Sequence, residues 1–367
     1  MELKKFRILF ITDKLVYGGA EKIITFLANS LSQNGYEIVI YTYEGKYKDK
    51  LSNYVLENKI QFIPEEKIQT NKYSRRLIQA FQVTARIKSI NPDLVISFKT
   101  NQNVFSVVGT RFTNIPVVIS ERGDPYVNKG LTEKIKYFFY RFADGIVFQT
   151  DGARDFFNDS IKRKSTIIPN PVTFQQARIL PYSKRDNKIA FVGRFEIKQK
   201  RQDIMVKAFK KVQTVHKEMK LVFYGDGPDM PIVKNMVERN GLNENIIFAG
   251  KVDNVQELIS KAKMFVLTSD YEGIPNALIE AMSAGLPVIS TDCSPGGARL
   301  LIQNKKNGIL VPKGDVDSVA EAILFIHDNP EIADCYGKEA QEIVEIYSPN
   351  KIIEKWDDFI QEVVLRK

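Results

Sequence analysis

Short apolar runs alternate with longer amphipathic segments along most of the chain. The first run, "FRILFIT", ends near a Gly-rich turn. It is followed by "AEKIITFLANSLSQNG", where Ile23, Ile24, Leu27, Ala28 and Leu31 recur at helical spacing before a glycine stop. "YEIVIYTY" comes next, and strand, helix, strand within about 40 residues predicts a parallel βαβ unit. "PDLVISF", "IPVVISE", "GIVFQT" and "STIIPN" add β-branched runs between helical segments. The second half restarts the pattern with "KIAFVGRF", the amphipathic "RQDIMVKAFKKVQTV" and "LVFYGDGP", then "NIIFAG", "MFVLTS", "PVISTD" and "GILVP". Two open α/β domains are predicted.

Periodicity lapses in "NPVTFQQARILPYSKRDN", which carries two prolines and a charge cluster. The expected organisation is a first domain at 1–172, a linker at 173–187, a second domain at 188–348 and a C-terminal helix at 349–367. In that helix Ile352, Ile353, Trp356 and Phe359 form a packing face. The total of 367 residues exceeds the usual span of one core, in agreement with two domains.

Composition adds three constraints. No apolar run approaches the ~20 residues that span a bilayer, and "MELKKFRILFITDKL" makes a poor signal peptide, so cytoplasmic residence is expected. Cys293 and Cys335 are the only cysteines, with no CxxC pair, which disfavours a disulfide framework or structural zinc. Charge is lopsided: residues 1–180 carry 27 basic against 17 acidic side chains, whereas the remainder carries 26 against 27. An excess confined to one half points to an anionic partner, a nucleic acid or an acidic membrane surface. Within that half, "LTEKIKYFFYRF" interleaves Lys134, Lys136 and Arg141 with five aromatics, a pattern that serves membrane contact or core packing.

In open parallel sheets ligands bind beyond the carboxyl ends of the strands, so the loops after each run are the candidate sites. "YEGIPNALIEAMSAGLPVIS" passes from a strand end into a helix. The backbone N–H groups around Asn276 to Leu278 have no intrahelical partner and carry the positive end of the helix dipole, a site for a diphosphate. Glu280, one turn further in, can accept hydrogen bonds from ribose hydroxyls. Glu272, before the helix, would meet another part of the same molecule. Arg194 and Lys200 can neutralise a diphosphate, and Gly18 and Gly19 allow close backbone approach. Two hydroxyl acceptors flanking an anion site describe a nucleotide diphosphate-sugar. In "YGDGP" the glycines, Gly225 among them, read as a turn shaping the base pocket. Asp315 and Asp317 form a D-x-D that reads as helix capping. His216 and His327 lie on predicted helices and read as ordinary surface or packing residues.

Taken together, "GGAEK", "GR" with a lysine six residues on, "YGDGP", and E-x7-E in "EGIPNALIE" followed by "AMSAGLPVIS" resemble glycosyltransferase family 4, the retaining GT-B enzymes. "NPV", "SERGDP" and "SPGG" resemble the members that build capsular polysaccharide, lipopolysaccharide or lipid-linked oligosaccharide. The resemblance implies an α/β GT-B fold, two Rossmann-like domains facing a central cleft, with the C-terminal helix crossing back to the first. It implies a UDP-hexose or UDP-N-acetylhexosamine donor, a glycan or polyprenyl-diphosphate-linked acceptor, and no cofactor or metal. Glu280 would bind ribose, Glu272 the donor sugar, and Arg194 with Lys200 the diphosphate. Gly273, Ile274, Pro275, Asn276, Ala277 and Leu278 would line phosphate and sugar, with Val252 near the base.

The sequence departs from the family pattern in two places. Many members place a histidine near the donor sugar in the first domain; here Arg122 stands about there as a catalytic candidate with Glu272, Arg194 and Lys200, and Glu121 and Asp124 beside it are candidates on the acceptor side. After "SPGGAR" relatives often continue with an acid, where this chain has Leu300. The expected location is the inner face of the cell membrane, peripherally bound. A non-catalytic GT-B-like sugar-binding protein is the alternative. A nucleic-acid partner is not expected, because the basic charge comes with no recognised binding module.

Overall fold

A computed structural model describes residues 6–15, 19–44, 56–66, 68–127, 130–173 and 179–366. The chain divides into two compact units, Met1–Pro171 with Pro349–Lys367, and Val172–Ser348. Gly18 lies outside the described residues, and Gly19 opens the first helix.

The first unit runs β1 (Arg7–Thr12), α1 (Gly19–Gln33), β2 (Glu37–Thr42), β3 (Gln61–Pro64), α2 (Lys72–Ile90), β4 (Leu94–Phe98), α3 (Thr100–Thr110), β5 (Val117–Glu121), α4 (Leu131–Phe139), β6 (Gly145–Phe148), α5 (Asp151–Asp155), α6 (Asp159–Lys162) and β7 (Ser165–Ile167). Its strands form one parallel sheet in the order β3-β2-β1-β4-β5-β6-β7. Helices cover both faces, which is why β4 and β5 are buried at every position and read as unbroken apolar runs.

The second unit runs β8 (Asp186–Val192), α7 (Ile197–Lys200), α8 (Gln202–Val215), β9 (Lys220–Tyr224), α9 (Met230–Arg239), β10 (Ile246–Gly250), α10 (Val255–Ser260), β11 (Ala262–Leu267), α11 (Asn276–Ser283), β12 (Val288–Thr291), α12 (Gly297–Leu301), β13 (Ile309–Val311), α13 (Val316–Asp328), α14 (Pro330–Gln341) and α15 (Ile343–Ile346). The sheet order is β10-β9-β8-β11-β12-β13, again parallel. Side chains alternate between its faces. Ile189, Phe191, Met264 and Val266 join the core under α8 and α13, whereas Ala190, Phe265 and Leu267 join the core under α11.

The final helix, α16 (Pro349–Leu365), belongs to the first unit. Trp356 is fully buried with its ring 6.0 Å from that of Phe98, and Gln361 donates to the Tyr36 hydroxyl at 2.6 Å. Gly145 at the start of β6 makes room for it, since a Cβ there would lie 2.7 Å from Val363.

The expected linker needs correction. Val172 opens the second unit, its N–H bonded to the Tyr347 carbonyl at 2.8 Å. Tyr182 is buried in the core, and buried Arg185 donates to the carbonyls of Leu180, Ser260 and Gly285. Lost periodicity there reflects irregular backbone satisfied by a side chain. Residues 174–178 lie outside the described region.

Candidate active site

Strand order reverses direction between β8 and β11 in the second unit, and the carboxyl ends at such a switch point are where open α/β sheets bind ligands. The loops after those two strands are stitched together. Thr268 Oγ1, just past β11, donates to the carbonyls of Lys200 and Arg201 at 2.9 Å each, and Asp270 N–H donates to the Gln199 carbonyl at 2.8 Å. Arg201, at φ 51°, bridges Asp203 and Asp270 across the α7–α8 junction.

This stitching sets Lys200 against Glu272. Their side chains form an ion pair, each largely buried at 15% and 10% exposure. Ser269 Oγ donates to Glu272 Oε1 at 2.8 Å, and Gln199 Nε2 reaches Oε2 at 3.3 Å and the Tyr271 carbonyl at 3.2 Å. Glu272 N–H donates to the Ser294 carbonyl at 2.8 Å, which ties the loop to the segment after β12. The carboxylate is thus aimed by three side chains. Its charge also acts on a neighbour: burial first, then Glu272, pushes the Cys293 thiol up to about 12.

Close backbone approach explains the glycines. A Cβ on Gly297 would lie 1.8 Å from the Gly273 carbonyl, so the start of α12 can pack on the E-x7-E loop only as glycine. Gly225, at φ 134°, has the Gly193 carbonyl 2.2 Å from where its Cβ would be, so this position shapes the loop after β8. α11 begins at Asn276 behind a buried Pro275 with no side-chain cap, and its first return bond is Leu278 N–H to the Pro275 carbonyl at 3.0 Å. Leu278 N–H, expected to have no partner, is thus bonded, and the helix start ahead of it, at Asn276 and Ala277, is where the sequence predicts an anion site. Ile274 and Leu278 are buried, whereas Ala277 and Glu280 are half-buried on the same short element. Val252, two residues past β10, is half-buried against the α11 core. Arg194 is exposed, with one ion-pair partner, Glu196, at 3.7 Å. Asp315 caps α13, its carboxylate accepting from Ser318 N–H at 3.0 Å.

The first-unit candidates have other surroundings. Glu121 is buried, and its carboxylate accepts from the N–H groups of Arg122 (3.1 Å) and Gly123 (3.0 Å), from Thr100 Oγ1 (3.2 Å) and from the Tyr140 hydroxyl. Those four donors occupy its acceptor sites, so in this structure Glu121 anchors the end of its strand. The Arg122 guanidinium donates to Asn170 at 2.8 Å and lies 5.2 Å over the Phe98 ring; burial lowers its pKa to about 9, partly offset by Glu121. Its Nε and Nη2, and Asp124 Oδ2, are buried without partners.

Sequence patterns did not reveal several residues. Lys99, at φ 71° after β4, pairs with buried Glu21 at 2.5 Å and with Asp13 at 3.3 Å, at the first unit's own switch point. A strained non-glycine conformation clusters with function but leaves no mark in a sequence. A pocket of about 150 Å³ lies beside it, lined by Asp13, Glu44, Arg75, Arg76 and Gln102 among others. On α2, Tyr73, Leu77 and Phe81 form an outward apolar stripe at 79%, 65% and 74% exposure. It is offset from the stripe of Val83 and Ile87 that faces the core, and one helix carrying two stripes reads simply as amphipathic.

Comparison with known proteins assigns the class. Residues 17–176 match the family described as Glycosyltransferase Family 4, and residues 186–329 match Glycosyl transferases group 1. Anabaena HepE in complex with UDP-glucose superposes with a TM-score of 0.80 at 18% identity, over 97% of this chain and all of that one. The fold is therefore GT-B, with two Rossmann-like domains, and the chain belongs to the family 4 glycosyltransferases. Among curated relatives, the Campylobacter jejuni GalNAc-alpha-(1->4)-GalNAc-alpha-(1->3)-diNAcBac-PP-undecaprenol alpha-1,4-N-acetyl-D-galactosaminyltransferase is 25% identical over 362 residues, covering 97% of this chain and 99% of its own. A Streptomyces coelicolor exopolysaccharide phosphotransferase is 26% identical over 285 residues; the match covers 77% of this chain but spans 30% of that protein's length.

Proposed function

We propose that this glycosyltransferase moves a hexose or N-acetylhexosamine from a UDP-sugar to a glycan or lipid-linked acceptor in cell-surface polysaccharide or glycoconjugate assembly, with retention at the anomeric carbon. The observation that carries the donor reading is the Lys200–Glu272 pair at the second unit's switch point, in the loop that leads into α11. A UDP-glucose complex in a structural neighbour and a lipid-linked acceptor in a relative's name support it.

In this reading Glu280 holds the ribose, Glu272 holds hydroxyls of the transferred sugar, and the backbone from Gly273 to Leu278 lines the diphosphate and sugar. The acceptor hydroxyl attacks from the face the diphosphate leaves, and the donor's own phosphate oxygen takes its proton. Arg194, Lys200 and the α11 N-terminus stabilise the leaving diphosphate, so its charge needs no metal. The orphaned Arg122 nitrogens and Asp124 Oδ2 await polar partners that a bound sugar would supply.

Among the described residues no helix is long and apolar enough to cross a membrane. The exposed stripe of α2, flanked by Arg75 and Arg76, and exposed Leu131, Ile135 and Phe138 beside Lys134 on α4, fit peripheral contact with an anionic bilayer. The deciding experiment measures UDP release across a panel of UDP-, GDP- and ADP-sugars, with thermal shift as the binding readout. A stabilising UDP-sugar that is turned over supports the reading. Binding without turnover for every acceptor tried would favour a non-catalytic sugar-binding protein, and preference for another nucleotide would overturn the donor.

A further inference from the structure

The chain has two histidines, 111 positions apart in sequence, and the fold brings both to one place. His216 caps the carboxyl end of α8 and His327 is the penultimate residue of α13; their ring centroids are 4.2 Å apart. One ligand atom from each ring and one from the Asp328 carboxylate lie within 4.8 Å of one another. We propose that His216, His327 and Asp328 form a binding site for a divalent transition ion of the zinc class, separate from the donor site.

The donor set is the first argument. Two imidazoles and one carboxylate suit zinc, cobalt(II) or nickel(II), leave a position for water, and are a poor set for magnesium or calcium. Orphaned nitrogens are the second. His216 Nε2 and His327 Nδ1 are buried without a hydrogen-bond partner, although Nε2 lies 2.9 Å from Asp328 Oδ1, so the pair is close without being aligned as a hydrogen bond. A tetrahedral ion with bonds of about 2.1 Å holds its ligands roughly 3.4 Å apart, between the 2.9 Å of the His216–Asp328 contact and the 4.8 Å that bounds the cluster. Asp328 is half exposed, which gives an ion and its water a way in.

The surroundings set the affinity. Both helices end here, and the negative ends of their dipoles favour a cation. Lys263, whose ammonium lies 5.1 Å from the Tyr182 ring centroid and whose charge reaches His327, opposes a divalent ion. Tyr182, whose buried hydroxyl also lacks a partner, feels the Asp328 charge. An ion here would pin the carboxyl ends of α8 and α13, whose Val212 and Ile326 share one core.

The test uses tag-free, chelator-stripped full-length protein, titrated with ZnCl2 by calorimetry and with CoCl2 followed by visible absorption. One saturable ion per chain is expected, with melting raised by zinc. His327→Gln, His216→Asn and Asp328→Asn should each weaken it at least tenfold, Lys263→Gln should tighten it, and UDP affinity should stay unchanged. Far-UV circular dichroism and the metal-free melting temperature of each variant verify folding, and Asp328→Asn, at an exposed position, leaves the core untouched. No saturation by about 1 mM, or binding unaltered in the folded variants, would overturn the site and leave the cluster as a plain packing contact between helix ends.

Discussion

Glu272 and Glu121 are both buried carboxylates, one just past and one at the carboxyl end of a parallel strand, yet their partners differ in kind. Glu121 is filled by two backbone N–H groups and two hydroxyls, all part of the scaffold. Glu272 faces an ammonium, a serine and a glutamine amide, and the ammonium keeps donors to offer a ligand. Burial alone therefore does not separate a binding group from an anchor. The identity of the partners does: a carboxylate satisfied by backbone holds a turn, whereas one held by a long cation can exchange that cation for a substrate.

The largest effect is expected where that exchange is blocked. Glu272→Gln and Lys200→Met should each lower sugar transfer by about a hundredfold or more, the scale of losing one charge-stabilising contact. Because the two act as a unit, the double variant should lose little beyond the worse single one. Turnover within threefold of wild type in Lys200→Met would remove it from the site. Affinity of Glu272→Gln for free UDP, which lacks the transferred sugar, should stay near wild type.

Glu121→Gln should give the converse. It replaces an acceptor that serves four donors with a group offering one oxygen, and about 2–3 kcal/mol of folding stability should be lost, measured by denaturant unfolding. Transfer per folded molecule should change less than threefold. A variant as stable as wild type but inactive would make Glu121 a site residue after all.

That contrast also marks what a sequence can carry. The apolar runs of β1, β4, β8 and β11 and the helical spacing of α1 and α8 are local signals, so both sheets could be read from them. Glu272 and Lys200 could be singled out as candidates because each follows a strand in a segment of recognisable shape. Their mutual pairing could not, since it depends on Thr268 and Asp270 holding a loop some 70 residues away in sequence. The anchoring of Glu121 was not legible, because nothing in "SERGDP" shows that Thr100 and Tyr140 fold onto it. The contact between the two histidines was equally invisible, because it is made by the packing of α8 on α13.

A smaller effect belongs to Glu280. Half-buried on α11 and one turn beyond the anion-binding end, it should contribute about one charge-assisted hydrogen bond to the nucleotide. Glu280→Ala should weaken free UDP about tenfold by calorimetry, where Glu272→Gln does not. Equal losses in both would erase the division between ribose and sugar.

The smallest effect probes the ion pair itself through Cys293. This buried thiol is raised to about 12 by burial first and Glu272 second, with Lys200 acting in the opposite direction. Exposed Cys335 should therefore be the one thiol that a disulfide reagent modifies quickly in the native protein at about pH 8, with Cys293 appearing on unfolding. Glu272→Gln removes a negative charge and favours the thiolate, so slow modification of Cys293 should accelerate. Lys200→Met removes the counter-charge and should retard it. Burial remains in both, and with about tenfold per pKa unit the changes should stay below that factor. Rates must be compared at equal native stability, because local opening also exposes the thiol. Shifts of the same sign in the two variants would mean that opening governs the rate. Opposite signs would show the Lys200–Glu272 pair charged and in place before any donor binds.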